Sequence, residues 1–320
     1  MADFVLAHPN ICGAVTYHTS GGCYIYPPGT MPEKNGDPRD MRMYREIGAM
    51  ATEETGYGCF NIFDAFLTDT VNYSSGAFDD WMYQAQGIPA YTAELWDLCI
   101  RAGVPNVYPR TKPLTDQQAA EKMYLCYQWI DANVKNNKAV PILPWTEFEH
   151  PQLGKVEIGS LDFKYTWQNC PVGYLEQEVE KNTRFCLRMA ATVPRLQVEC
   201  FTAEKQAEGI YKLKAQVRNA GYLPTFVCNE AKKLKVDQPL TVTLTADGEL
   251  LSGSVQQQIG HLEGFSGVNS AYSFNNINTF RHDPFVKELC WVIKAAAGTK
   301  VSLKIGNVKS GSASAQTVLE

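Results

Sequence analysis

The chain has 320 residues, room for about two domains at the usual ~100–200 residues each. Apolar residues make up 45% and charged residues 20%, and the net charge is −5 with no basic block beyond Lys232-Lys233 and nearby Lys235, so no nucleic-acid partner is expected. No apolar run approaches the ~20 residues that span a bilayer, so no membrane partner is expected either.

Met1 to Ala7 is too short and too poor in basic residues for a secretory leader. Ala2 to Ala7 read instead as the last turns of a helix. The residues assign no compartment. Ten cysteines include no CxxC pair. Most, such as Cys12, Cys126, Cys186 and Cys290, stand in apolar stretches and read as buried free thiols rather than a disulfide framework or metal cluster. A reducing interior suits them.

Residues 1–135 mix helix and strand. Ala14 to His18 is a short apolar strand. Asp37-Pro38 starts a helix, with a cap followed by proline at the first helical position. Met41, Tyr44, Ile47 and Ala51 share one face of it, and Gly56 ends it. Tyr91 to Trp96 is a strand that carries Glu94. Leu114-Thr115 opens another helix, with Thr115 and Gln118 at capping-box spacing and Met123, Tyr127, Ile130 and Val134 as its apolar stripe.

Residues 136–192 read as a connector broken by Pro141, Pro144 and Pro151, ending in a helix over 175–191. Glu176, Glu178 and Glu180 near its start and Arg184 and Arg188 near its end complement the helix dipole. Residues 193–320 change in kind. Tyr211, Leu213, Ala215 and Val217 alternate with Lys212, Lys214, Gln216 and Arg218, the period of a strand with one wet face. Similar alternation at 241–245 and 301–305, with turns at Asn219-Ala220-Gly221 and Asp247-Gly248, predicts a β-sandwich. Ser310 to Ser314 reads as a Gly/Ser loop, and Leu319-Glu320 as an appended remnant. The expected fold is thus an α/β domain followed by an all-β sandwich.

Chemistry is constrained by five histidines: His8, His18, His150, His261 and His282. A catalytic zinc needs about three protein ligands, two usually from a local HxxE or HExxH. Three residues beyond each histidine stand Ile11, Gly21, Leu153, Gly264 and Phe285, so neither motif occurs. His18 ends its strand just before Thr19-Ser20-Gly21-Gly22. That is where α/β enzymes place functional groups, although a hydrogen-bonded structural histidine is the other reading. His150, beside Pro151, reads as structural.

Two further segments bear on His18. One runs Asn72-Tyr73-Ser74-Ser75-Gly76-Ala77-Phe78-Asp79-Asp80-Trp81, the other Tyr91-Thr92-Ala93-Glu94-Leu95-Trp96-Asp97. With Thr16-Tyr17-His18-Thr19 they resemble the zinc metallocarboxypeptidases of the carboxypeptidase A and B family over about residues 1–135. The resemblance implies a partial α/β/α catalytic domain that releases C-terminal amino acids from a peptide or protein C-terminus. It implies zinc as cofactor, His18 as the third zinc ligand, Glu94 as general base, and Tyr73 closing over the substrate. Asp79, just before the Asp-Trp pair, would face the substrate's last side chain and favour Lys or Arg. From the residues alone, Glu94 could be an ordinary strand carboxylate, Tyr73 a surface tyrosine and Asp79 a turn aspartate; the 73–81 segment is also one residue shorter than the family pattern.

The family's HxxE ligands, oxyanion arginine and carboxylate-gripping Asn/Arg pair all lie upstream of the strand histidine, in positions this sequence does not contain. The implied expectations are an incomplete zinc site, no activity from these residues alone, and self-association through an uncovered half-domain. The segment from Trp145 to Gly159 is similar to one following the catalytic domain in larger bacterial enzymes of this type, and Asn219 to Thr225 to a turn in their appended sandwich. The alternative is a non-catalytic binding protein on a degenerate peptidase domain. A separate hydrolase using Glu94 lacks a nucleophile pattern such as GxSxG.

Overall fold

Helix caps written in the sequence set the ends of the longest helices. Helix α1 covers Ala2–Ala7. In α2, Pro38–Thr55, the Asp37 side chain accepts from the Arg39 and Asp40 N–H groups, and Gly56 ends the helix in the left-handed region at φ 72°. Helix α5, Asp116–Asn133, opens on a complete Thr115/Gln118 capping box. The computed structural model describes residues 1–67, 71, 73, 75–104, 114–134, 142–267 and 283–320. Asn72, Ser74, Pro141 and His282 lie outside the described residues.

The described chain divides into two compact units that do not follow chain order. One comprises residues 15–81 and 90–188, the other 1–14, 82–89 and 189–320.

In the first unit, a four-stranded sheet is built from β1 (Ala14–Thr19), β2 (Cys23–Tyr26), β3 (Gly58–Asn61) and β4 (Ala90–Leu95), in the order β1-β4-β2-β3. Strand β2 runs antiparallel to β4 and parallel to β3. Residues of one parity carry aromatic rings onto helices. Tyr24 donates to Asn182 of α6 (Leu175–Ala190) and meets the Phe185 ring edge-on at 4.7 Å. Tyr91 donates to the Tyr44 carbonyl of α2 at 2.7 Å, and Tyr26 stacks on the Tyr44 ring. The opposite face holds Cys23 and Ile25 in an apolar cluster with Ile62, flanked by Phe60, Phe66 and Leu67. Helix α3, Phe78–Gln86, follows, and α4, Leu98–Arg101, comes directly after β4 with Asp97 as its cap.

The proline-rich stretch expected to be a broken connector contains a hairpin, β5 (Ile142–His150) with β6 (Gly154–Leu161). Pro144 lies inside β5 and lacks an N–H to donate, and the pairing register shifts between Leu143 and Thr146. His150 Nδ1 accepts from Gln152 N–H and Leu153 N–H at 3.2 and 3.1 Å, which fixes the hairpin turn and fits the structural reading.

In the second unit, the alternating segments become β7 (Leu196–Ala207), β8 (Ile210–Asn219), β9 (Thr241–Ala246), β10 (Glu249–Ser252), β11 (Gln256–Gln258), β12 (Val286–Lys294), β13 (Lys300–Asn307) and β14 (Gly311–Val318), with a short helix α7 (Asn229–Leu234) between. They form two four-stranded sheets, β10-β12-β8-β7 and β11-β9-β13-β14. Tyr211, Leu213 and Trp291 of one and Val242, Leu303 and Ile305 of the other share a single apolar cluster, as a two-sheet sandwich requires.

Several expectations need correction. Ser310 lies in a turn, but Gly311 to Ser314 is strand rather than loop: Ser312 to Ser314 pair with Gly306, Ile305 and Lys304, because small residues fit a ladder whose partner strand supplies the apolar face. Leu319 is fully buried in the same cluster. Cys290 and Cys200 are exposed and Cys186 is half-buried, since strand and helix periodicity turns them away from the cores. All ten cysteines are free.

Candidate functional site

Strands β1 and β4 position the two residues singled out first. At the start of the pair the Ala14 N–H donates to the Pro89 carbonyl at 3.0 Å, and beyond its end Gly21 N–H donates to the Trp96 carbonyl at 2.9 Å. Both chain numbers rise together, so the strands are parallel, and continuing the first bond's register along them brings His18 level with Glu94. On the other side of β4, Glu94 pairs with Cys23. Glu94 is 8% exposed, whereas His18 is exposed at the outer strand of the sheet.

The face on which they stand follows from their neighbours. Tyr17, one residue before His18, bonds Cys186 of α6 through its hydroxyl at 3.0 Å. Successive strand residues alternate faces, so His18 points away from α6. Glu94 lies on that same face with Thr92, two residues earlier. Thr92 Oγ1 donates to Asp79 Oδ2 at 3.0 Å, and Asp79 Oδ1 accepts from the Asp80 N–H. Asp79 is thereby held against the Glu94 strand and is almost wholly buried. Burial, only partly offset by the Thr92 bond, pushes its carboxyl from 3.8 up to about 6. Asp80 accepts from Gly29 N–H at 2.9 Å, tying the start of α3 to the turn after β2.

Tyr73 is 48% exposed in the segment ahead of α3. Among the described residues no group of three or more His, Cys, Asp or Glu is placed to bind a metal ion. The Thr19–Ser20 peptide that follows His18 is cis.

A second constellation lies on the α6 face and was missed in the sequence. Glu178 is buried and accepts from Arg101 at 2.9 Å, from Lys181 at 2.7 Å and from the Tyr57 hydroxyl. The same Tyr57 oxygen accepts from Trp96 N–H at 2.8 Å. Trp96 sits at φ 65°, a left-handed conformation that side chains of its size rarely adopt, immediately after the Glu94 strand. Its indole donates to the Thr166 carbonyl at 2.9 Å. These groups wall one side of an open cleft of about 540 Å³ that Glu54, Asp97, Gln177 and Arg184 also line. By sequence Glu178 looked like a dipole-complementing surface charge. Only the fold brings Tyr57 and Arg101 to it from 121 and 77 residues away. Thr92, in contrast, was findable, since two-residue spacing places it on the face of Glu94.

Residues 195–318 match a domain family of unknown function, DUF8731. No curated protein sequence matches the chain.

Proposed function

We propose that residues 1–135 are the C-terminal portion of the catalytic domain of a zinc metallocarboxypeptidase, followed by an accessory β-sandwich, and that the complete enzyme releases C-terminal amino acids from peptides. The observation that carries this reading is the β1–β4 pairing: it puts His18, Glu94 and, through Thr92, Asp79 on one sheet face. This is the order and spacing on which the family resemblance rests.

The residues present do not by themselves fit a zinc ion. A catalytic zinc takes about three protein ligands, and the described residues offer no three-donor group. We derive no step through the metal. In the proposed site His18 supplies one ligand and two more come from residues outside this sequence. Glu94 takes a proton from an attacking water and hands it to the leaving amine. Tyr73 closes over the substrate's C-terminal end. Asp79 faces its last side chain, where a carboxylate would favour Lys or Arg by charge pairing.

A second reading is favoured by the same missing donors: a non-catalytic protein that binds peptide C-termini on a degenerate peptidase domain. Both readings predict that the purified 320-residue chain retains no stoichiometric zinc after dialysis and does not turn over hippuryl-Arg or hippuryl-Phe. One missing oxyanion donor alone typically costs ~3 kcal/mol. Turnover abolished by a chelator would show that the site is complete and overturn the half-site assignment.

A further inference from the structure

Helix α4 starts four residues after Glu94, and its Cys99 lies against Cys126 of α5. The two sulfurs are 4.0 Å apart, with the Cys126 S–H directed at the Cys99 sulfur. Both are buried in an apolar cluster with Trp96, Leu98, Ile130 and Val134. Apolar surroundings ordinarily leave a thiol inert. Lys122, one helical turn before Cys126, lies over the Trp167 ring at 5.5 Å from its centre. The hydrogen bond from Cys126 lowers the Cys99 pKa and the nearby Lys122 charge lowers it further, against burial and the Asp97 carboxylate. The same hydrogen bond, with burial, raises that of Cys126. Of the two thiols, Cys99 is the more readily deprotonated.

We propose that Cys99 and Cys126 form a reversible redox dithiol that closes to an intramolecular disulfide on reaction with hydrogen peroxide, pinning α4 to α5. Cys99 gives up its proton and attacks one peroxide oxygen; the O–O bond breaks and the departing hydroxide takes up that proton as water, leaving a sulfenic acid on Cys99. Cys126 then attacks that sulfur, its proton joining the second departing hydroxide as water. The net change oxidises two thiols to one disulfide and reduces one peroxide to two waters. The sulfurs must approach from 4.0 Å to about 2.05 Å for the bond to close. Chemically, Cys99 is the peroxide-reactive sulfur and Cys126 the resolving thiol.

The test uses the whole native chain, treated with hydrogen peroxide, alkylated in denaturant and mapped by peptide mass spectrometry with and without reductant. The expected result is a reductant-sensitive linked peptide containing Cys99 and Cys126, formed ahead of any change at the other eight cysteines. In Cys126→Ala, dimedone should trap a sulfenic acid at Cys99. Oxidation elsewhere first, or over-oxidation of Cys99 in the native chain with no linked peptide, overturns the proposal.

Discussion

Thr92 Oγ1 donates a 3.0 Å hydrogen bond to Asp79 Oδ2, clamping the start of α3 onto the strand that bears Glu94. The bond joins two residues thirteen apart that sequence patterning treats separately. It also makes Asp79 a buried carboxylate rather than a solvated turn residue.

A buried carboxyl at about 6 has a pH signature. Its folded pKa lies above the ordinary 3.8, so the folded protein holds the proton more tightly than the unfolded chain. Its favourable contribution is complete below about pH 4 and is lost as pH rises through about 6. Asp79→Asn, which is never charged, should therefore be more stable than the parent at pH 7.5, by about 3 kcal/mol at most, with the gain shrinking toward pH 4. Urea midpoints of both proteins across that range measure it. A constant difference at all pH values would contradict the assigned burial.

Glu178 joins three donors, two of them cationic. Removing a buried partner leaves charges uncompensated, at a typical cost of 3–5 kcal/mol for a fully buried pair. Arg101 is partly exposed at 32%, so solvent recovers some of that loss. Glu178→Ala should destabilise by roughly 2–3 kcal/mol and Glu178→Gln by less, read from urea denaturation. A change within about 0.5 kcal/mol, as at ordinary surface sites, would place Glu178 among plain surface charges.

Asn219 uses its whole amide. Its carbonyl oxygen accepts from Arg195 N–H at 2.9 Å and Gly221 N–H at 3.0 Å, and its nitrogen donates to the Leu223 and Glu263 carbonyls at 2.8 and 2.9 Å. Asn219→Asp keeps the shape but turns two donors into acceptors that face carbonyl oxygens. The expected loss is about 3 kcal/mol in the second unit. Gly221→Ala in the same turn should also destabilise, because a Cβ there would meet the Val193 oxygen at 2.4 Å. Thermal unfolding of each variant checks both, and unchanged midpoints would argue against this turn as drawn.

Strand β1 is the outer strand of its sheet, and Tyr17 and His18 on it are exposed, as are Phe4 and Leu6 of α1. We expect concentration-dependent self-association through residues 1–100, visible in sedimentation velocity and accompanied by dye binding to apolar surface. Clean monomeric sedimentation with low dye binding would count against it.

Sequence pattern served best where one physical signal dominates. The Asp37 and Thr115 caps, the Gly56 stop and the alternation from Tyr211 to Val217 each translate directly into an element. It failed at Gly311 to Ser314, where pairing with β13 overrides a loop-like composition, and it gave no sign of the burial of Leu319, which depends on a distant core. In the candidate site, His18 was legible as ending one strand and Glu94 as carried on another. Their side-by-side placement was not, because strand order is set by tertiary pairing. The Glu178 network and the Cys99–Cys126 contact were invisible for the same reason: their partners come from elsewhere in the chain.

If His18 and Glu94 are half of a zinc peptidase site, as proposed, the remaining ligands lie outside this sequence. Sequencing the DNA immediately upstream of the Met1 codon tests this. An in-frame HxxE is expected there, at the upstream spacing the family resemblance implies. An in-frame stop close to Met1 with no HxxE behind it would contradict the enzyme reading and leave the peptide-binding alternative.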